Sequence, residues 1–123
     1  MSATTFADVL ALAREPGTSR FSATNIANAL DLQFQDLATL AGVHRNTLRT
    51  HPESPRLQVA LRDLMRVLSA AAAVQPDTDS AFFMVKNEPI AAFRHKTLLQ
   101  LVQEGRTDDA IDYLESISAG FAG

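Results

Sequence analysis

The longest amphipathic stretch of the chain lies between residues 54 and 75. Its apolar residues recur at intervals of three and four, which predicts one long helix with a wide buried face. Ser54-Pro55 precedes the stretch, and this pair is typical of a helix start because serine caps the end and proline suits the first helical position. Gln75-Pro76-Asp77 then predicts a break. The apolar face comprises Leu57, Leu61, Leu64, Met65, Leu68 and Ala72.

Two shorter amphipathic segments come first along the chain. Residues 5–15 form the first one, with Phe6, Val9, Leu10 and Ala13 on one side. The breaker sequence at residues 16–19 follows, so we expect this N-terminal segment to be loosely attached. Ser22 is predicted to cap a second helix that carries Ile26, Ala29 and Leu30 on its apolar side.

Gly42 separates two further predicted helices. The first spans about Phe34 to Ala41, and the second begins at His44 and ends before Pro52, because a residue that precedes proline avoids helical dihedrals. Ala38 is small enough for a close helix crossing, and Gly42 tolerates a positive φ. The spacing is that of a helix-turn-helix. The apolar positions on both sides of the turn are Leu37, Ala41, Val43 and Leu48.

Charge is unevenly distributed along the 123 residues, whose net charge is −3. Residues 44–76 carry five arginines against two acidic residues, whereas both flanking regions are acidic. A basic middle favours an anionic partner for that region alone, although ordinary scatter of charge gives the same count. The hydrophobic fraction of 46% is enough for a packed core and places the chain among globular proteins of one or two small domains.

The polar residues around the predicted turn are of types that bind DNA. In a helix-turn-helix the second helix enters the major groove, where arginine pairs with guanine and asparagine with adenine. The following helix adds Arg56, Arg62 and Arg66. A plain helical hairpin with a solvated polar face is the alternative. The predicted DNA-binding residues are Gln35, His44, Arg45, Asn46, Thr47 and Arg49, of which Gln35 and Thr47 are placed for phosphate contacts.

The region after residue 77 predicts a helix near Asp79–Val85 and then two more that meet at Gly105. Leu98, Leu101 and Val102 form the apolar face of the first of this pair, and Gly105 suits a left-handed C-terminal cap. Thr107 is predicted to cap the second, with Asp108 and Asp109 in its first turn, where they favour the positive end of the helix dipole. Its apolar stripe and its expected stop are Ile111, Leu114, Ile117 and then Gly120.

This C-terminal region resembles the toxin-binding domain of Xre/MbcA/ParS-type antitoxins. The resemblance lies in the order and spacing of Pro89-Ile90, Lys96-Thr97-Leu98, Val102-x-Glu-Gly-Arg106, Ala110-Ile-x-x-Leu114 and an end that terminates in glycine. Together with the helix-turn-helix pattern that precedes it, the resemblance covers about residues 22–123. The chain departs from the family in two places: Phe82-Phe83 stands where the family usually has Trp-Leu, and Arg94-His95 stands where it often has Gly-Gly.

The resemblance implies an all-α antitoxin with three parts: an N-terminal helical segment at 1–20, a helix-turn-helix domain at 21–75 and a toxin-binding, dimerising domain at 76–123. The partner would be a RES-domain toxin that consumes NAD⁺ or transfers ADP-ribose, and the complex would repress its own promoter as a homodimer within a larger hetero-oligomer. The C-terminal domain would cover the toxin's NAD⁺ pocket. The toxin-binding residues expected are Arg94, Lys96, Glu104, Arg106, Gly120, Phe121 and Gly123.

Other functional classes find little support in the sequence. Cysteine is absent, and the three histidines His44, His51 and His95 lack the spacing of helical metal ligands, so we expect neither a metal nor another cofactor. No nucleophile–base arrangement or phosphate-binding loop indicates an enzyme. No apolar run predicts a membrane span, and a cytoplasmic location is expected. The alternative function is a stand-alone dimeric transcription regulator without a toxin partner.

Overall fold

Helices make up the protein, as the periodicity predicts. The computed structural model describes residues 5–122, and within them it contains no β-strand, only isolated bridges between Arg14 and Phe21 and between Ile90 and Lys96. None of the described helices combines the length and the hydropathy needed to cross a membrane. The helices are α1 (Phe6–Ala13), α2 (Ala23–Leu30), α3 (Phe34–Ala41), α4 (Thr47–Thr50), α5 (Pro55–Val74), α6 (Thr78–Asn87), α7 (Leu98–Gln103) and α8 (Thr107–Ala122), with a 3₁₀ turn at Ala91–Phe93.

Helix α5 is the centre of the packing. It contacts α8 and α6 most extensively and also touches α1, α3 and α7. Its predicted apolar face is confirmed: Leu57, Leu61, Leu64 and Leu68 are fully buried, because residues three and four apart lie on one side of the helix. One hydrophobic cluster runs from α1 to α8 through this helix.

The N-terminal segment is better attached than the sequence suggests. Val9 and Ala13 of α1 are buried in the common core, where α1 packs against α2 and α5. The backbone N–H of Ser22 donates to the carbonyl oxygen of Ala13 at 2.6 Å, and the side chain of Asn25 donates to the carbonyl oxygen of Leu12 at 2.8 Å. The expectation of a loose attachment is therefore wrong for the part of this segment that the structure describes.

The helix starts are confirmed at two serines, but only one of them acts as a cap. The hydroxyl of Ser22 accepts a hydrogen bond from the backbone N–H of Asn25 at 3.1 Å and so satisfies one free donor of α2. Ser54 makes no such bond, and α5 begins instead with Pro55, whose ring fixes the first helical φ and which has no N–H to satisfy.

The helix expected from His44 is much shorter than predicted. Residues 44–46 form a turn, in which the N–H groups of Thr47, Leu48 and Arg49 bond three residues back, and α4 covers only Thr47–Thr50. The imidazole Nδ1 of His44 accepts from the backbone N–H of Asn46 at 3.1 Å, which holds this turn. Pro52 prevents the helix from growing at its other end.

The C-terminal helices follow the prediction except at their ends. Gly105 has φ +77°, which is the left-handed cap expected after α7. Thr107 is already the first residue of α8 instead of preceding it. The same helix continues through Gly120 to Ala122, so the expected stop at Gly120 is wrong. A single glycine lowers helix stability by about 1 kcal/mol relative to alanine, which is too little to end a helix by itself.

Asp77 gives a pH-dependent contribution to stability. Its carboxylate caps α6 by accepting the backbone N–H of Ser80 at 2.7 Å, and bonds from Ser80 lower the pKa of Asp77 below its ordinary value. A carboxyl group with a lowered folded pKa stabilises the protein above its unfolded pKa of about 3.9 and loses that effect as the pH falls through the folded pKa.

We expect Asp77→Ala to lower the urea midpoint at pH 7, because the variant loses this carboxylate. The gap between the urea midpoints of the wild type and the variant should be smaller at pH 3 than at pH 7. An equal gap at both pH values would contradict the assignment of Asp77 as a charged cap.

Candidate functional sites

Four of the predicted DNA-binding residues lie together at the turn between α3 and α4. Gly42 adopts φ +68° and reverses the chain after α3, and the N–H of Val43 then bonds the carbonyl oxygen of Ala38 at 3.0 Å. This reversal brings the turn beside the first residues of α3. A shallow cleft of about 440 Å³ results, and its lining includes Gln35, His44, Arg45 and Asn46.

The remaining two predicted DNA-binding residues lie in α4. Thr47 is its first residue and is half-buried, so its side chain is less available than the prediction requires. Arg49 is exposed, and its guanidinium carbon lies 5.7 Å from the ring centre of Phe34 in α3. This cation–π contact links α4 to Phe34, the first residue of α3.

The basic surface is smaller than the arginine count suggests. Arg66 pairs with Asp63 at 3.4 Å and with Asp108 of α8 at 3.5 Å, and Arg62 lies 4.0 Å from Asp63. These two arginines are therefore partly neutralised within the chain. Arg45 and Arg49 form no ion pair with any described residue, so their charges remain available to an anionic partner.

A second candidate site is built on residues 90–96, which we call the 90–96 loop. Its ends are joined by hydrogen bonds from the N–H of Ile90 to the carbonyl oxygen of Lys96 at 3.0 Å and from the N–H of His95 to that of Ile90 at 2.9 Å. Closure requires left-handed backbone at two consecutive residues, Arg94 with φ +58° and His95 with φ +65°. Both side chains are exposed.

The predicted toxin-binding charges meet beside this loop. The ammonium group of Lys96 contacts both carboxylate oxygens of Glu104 at 2.6 and 2.7 Å. The Nε of Arg106 donates to Asp109 at 2.9 Å, and the guanidinium lies 5.2 Å from the ring centre of Phe93. A cleft of about 320 Å³ opens between these groups. Its lining residues are Ala92, Phe93, Arg94, Lys96 and Arg106.

Gly120, another predicted toxin-binding residue, lies at the opposite end of α8. Arg106 precedes the helix and Gly120 is near its last turn, so a rise of about 1.5 Å per residue separates them by about 20 Å. Gly120 is exposed. Gly123 and the side chain of Phe121 lie outside the described residues. The structure thus divides the predicted toxin-binding residues into two surfaces.

Sequence reasoning missed three residues that position the cleft. Phe93 supports the guanidinium of Arg106 and packs edge-to-face on Tyr113 of α8, with ring centres 5.9 Å apart. Asp109, which follows Arg106 by three residues, accepts a hydrogen bond from the Nε of Arg106. That spacing across a helix start was visible in the sequence, whereas the contact between Phe93 and Tyr113 depends on the tertiary fold.

Comparison with known proteins adds no further assignment. No protein-family model, curated protein or solved structure matches this chain. Within the described residues, no group of three or more histidine, aspartate or glutamate side chains is arranged to hold a metal ion.

Proposed function

We propose that this protein is a DNA-binding antitoxin of the Xre/MbcA/ParS type. Its C-terminal helices would bind and neutralise a RES-domain toxin, and the α3–α4 turn would bind promoter DNA as part of a helix-turn-helix. A homodimer within a larger complex with the toxin is the expected assembly.

The observation that carries this proposal is the left-handed backbone at Arg94 and His95. The family often has Gly-Gly at this step, and glycine is the residue that adopts positive φ without a steric cost. The chain therefore combines the backbone that a glycine pair would favour with two different side chains. This agreement supports the resemblance independently of the motifs, since an arginine–histidine pair does not itself predict a left-handed turn.

The end of α8 supports a role in covering the toxin's pocket. Residues 116–123 contain no charged side chain, and Ser118, Ala119 and Gly120 are exposed. A Cβ atom at Gly120 would meet nothing within 4 Å, so packing within the chain gives no reason for glycine there. A small, uncharged helix end enters a concave site with little cost of desolvation.

The α3–α4 turn supports the DNA-binding part of the proposal. Arg45 and Asn46 line one cleft with Gln35, and Arg49 is exposed on the helix that follows the turn. Arginine and asparagine are the side chains that form bidentate pairs with guanine and adenine.

Expression together with the neighbouring gene product tests the proposal against a stand-alone regulator. If the adjacent reading frame encodes a toxin, we expect cells that express it to grow only when this chain is also present. A chain that binds its promoter but leaves the toxin active would instead be the regulator without a toxin partner.

A further inference from the structure

We propose that Arg94 and Arg106 together bind one carboxylate group of the protein partner, and that Arg94 keeps its left-handed backbone because its side chain makes this contact. The proposal rests on the proposed function, in that the partner is the toxin. It adds the chemical group that is recognised and assigns a role to Arg94, one of the two residues that replace glycine.

The backbone of the 90–96 loop shows that the side chain of Arg94 is retained at a cost. Left-handed conformations bring Cβ close to the following carbonyl oxygen, and arginine is not among the residues that tolerate this well. The loop closes through backbone hydrogen bonds, which glycine at both positions would preserve. Neither exposed side chain is therefore needed for closure, and strain of this kind is concentrated at functional sites.

The free donors in the cleft define the ligand. Arg106 uses its Nε for Asp109, and no hydrogen bond engages its two terminal nitrogens among the described residues. The guanidinium of Arg94 has neither a hydrogen bond nor an ion pair within the same part of the chain. Lys96, by contrast, is occupied by Glu104. Two guanidinium groups with free terminal nitrogens suit a planar oxyanion with two acceptor oxygens.

The charge balance of the cleft favours a single carboxylate over a nucleic acid. Glu104 and Asp109 offset the charges of Lys96 and Arg106, so Arg94 supplies the one uncompensated positive charge of this group. Residues 77–123 also carry eight acidic against four basic residues, which repels a polyanion. An aspartate or glutamate side chain carries one negative charge and is short enough to enter a cleft of about 320 Å³.

Binding of the toxin to purified variants tests the contact. We expect Arg94→Gln to weaken the complex by about 10- to 100-fold, because a hydrogen-bonded charge pair is lost. Arg94→Lys keeps the positive charge but lacks the planar guanidinium, so its affinity for the toxin should lie between those of Arg94→Gln and the wild type. Arg62→Gln, which removes an exposed arginine of α5, is the matched control and should leave the affinity unchanged. An affinity of Arg94→Gln within twofold of the wild type would overturn the proposal.

Thermal melts test the retained strain. The variant Arg94→Gly should melt about 3–6 °C higher than the wild type, because glycine relieves the left-handed strain at this position. The same variant should bind the toxin at least tenfold more weakly. A melting temperature equal to or below that of the wild type would refute the claim that the Arg94 side chain costs stability.

Titration of the free protein separates this inference from the proposed function. Sodium acetate should produce saturable changes in the ¹⁵N signals of the Nε groups of Arg94 and Arg106, but not of Arg62. An absence of such changes would overturn the oxyanion site even if the toxin binds. Phosphate binding more than tenfold tighter than acetate would also overturn the choice of a carboxylate. A failure of the toxin to bind the wild type, with the acetate site intact, would contradict the proposed function alone.

Discussion

Replacing both Arg45 and Arg49 with alanine is expected to abolish binding to promoter DNA. Both residues are exposed on the side of the α3–α4 turn, and neither is paired with an acidic residue within the described chain. Each lost base contact costs about 1–3 kcal/mol. Fluorescence anisotropy with the DNA upstream of this gene measures the affinity, and the wild-type affinity should fall steeply as the salt concentration rises.

A second double variant provides the control. R14A/R62A also removes two positive charges, and Arg14 resembles Arg49 in lying over a phenylalanine ring, at 4.6 Å from the centre of Phe21. Its promoter affinity should stay close to that of the wild type. Circular dichroism should show that both double variants remain folded. Equal affinities of the wild type and R45A/R49A would contradict the assignment of this face.

Replacing Leu64 with alanine is expected to reduce the free energy of unfolding by about 2–5 kcal/mol. Leu64 is fully buried in the middle of α5, which contacts helices from both ends of the chain. The substitution leaves a cavity, and the helices that surround α5 on several sides cannot all move inward to fill it. Urea denaturation measures the loss, and the slope of the free energy against urea should be unchanged if the unfolded state is the same.

Val59 supplies the control on the same helix. Val59 is 46% exposed, whereas Leu64 is fully buried, so Val59→Ala deletes methyl groups that are about half in contact with water. We expect its effect to stay within about 0.5 kcal/mol, as for other surface substitutions. A loss at Leu64 no greater than that at Val59 would show that α5 is not the centre of the core.

The fold was largely predictable because its signals are local. The end of α3 and the start of α5 follow from Gly42 and Pro55, which act on their own backbone. The length of α4 was not predictable, because the imidazole of His44 and a series of short turns hold residues that have ordinary helix propensity. The burial of α1 depends on contacts with α5, which sequence periodicity alone does not reveal.

The candidate sites were predictable by residue type but not by arrangement. Lys96 and Glu104 are eight residues apart and meet only because the 90–96 loop folds back beside α7. The left-handed backbone at Arg94 has no local signal, since arginine does not favour positive φ, whereas histidine is found there more often than most residues. The distance between Arg106 and Gly120 became evident only when α8 proved continuous through the glycine.

The central claim is that the C-terminal helices neutralise the toxin. The growth of cells that express the adjacent toxin tests this claim most directly. The wild type and R45A/R49A should both restore growth, because the DNA-binding face is not needed to cover the toxin. A variant that lacks residues 120–123 should remain folded and bind the promoter, yet fail to protect the cells. Full protection by this shortened variant would contradict insertion of the end of α8 into the toxin's pocket, and no protection by the wild type would contradict the antitoxin function itself.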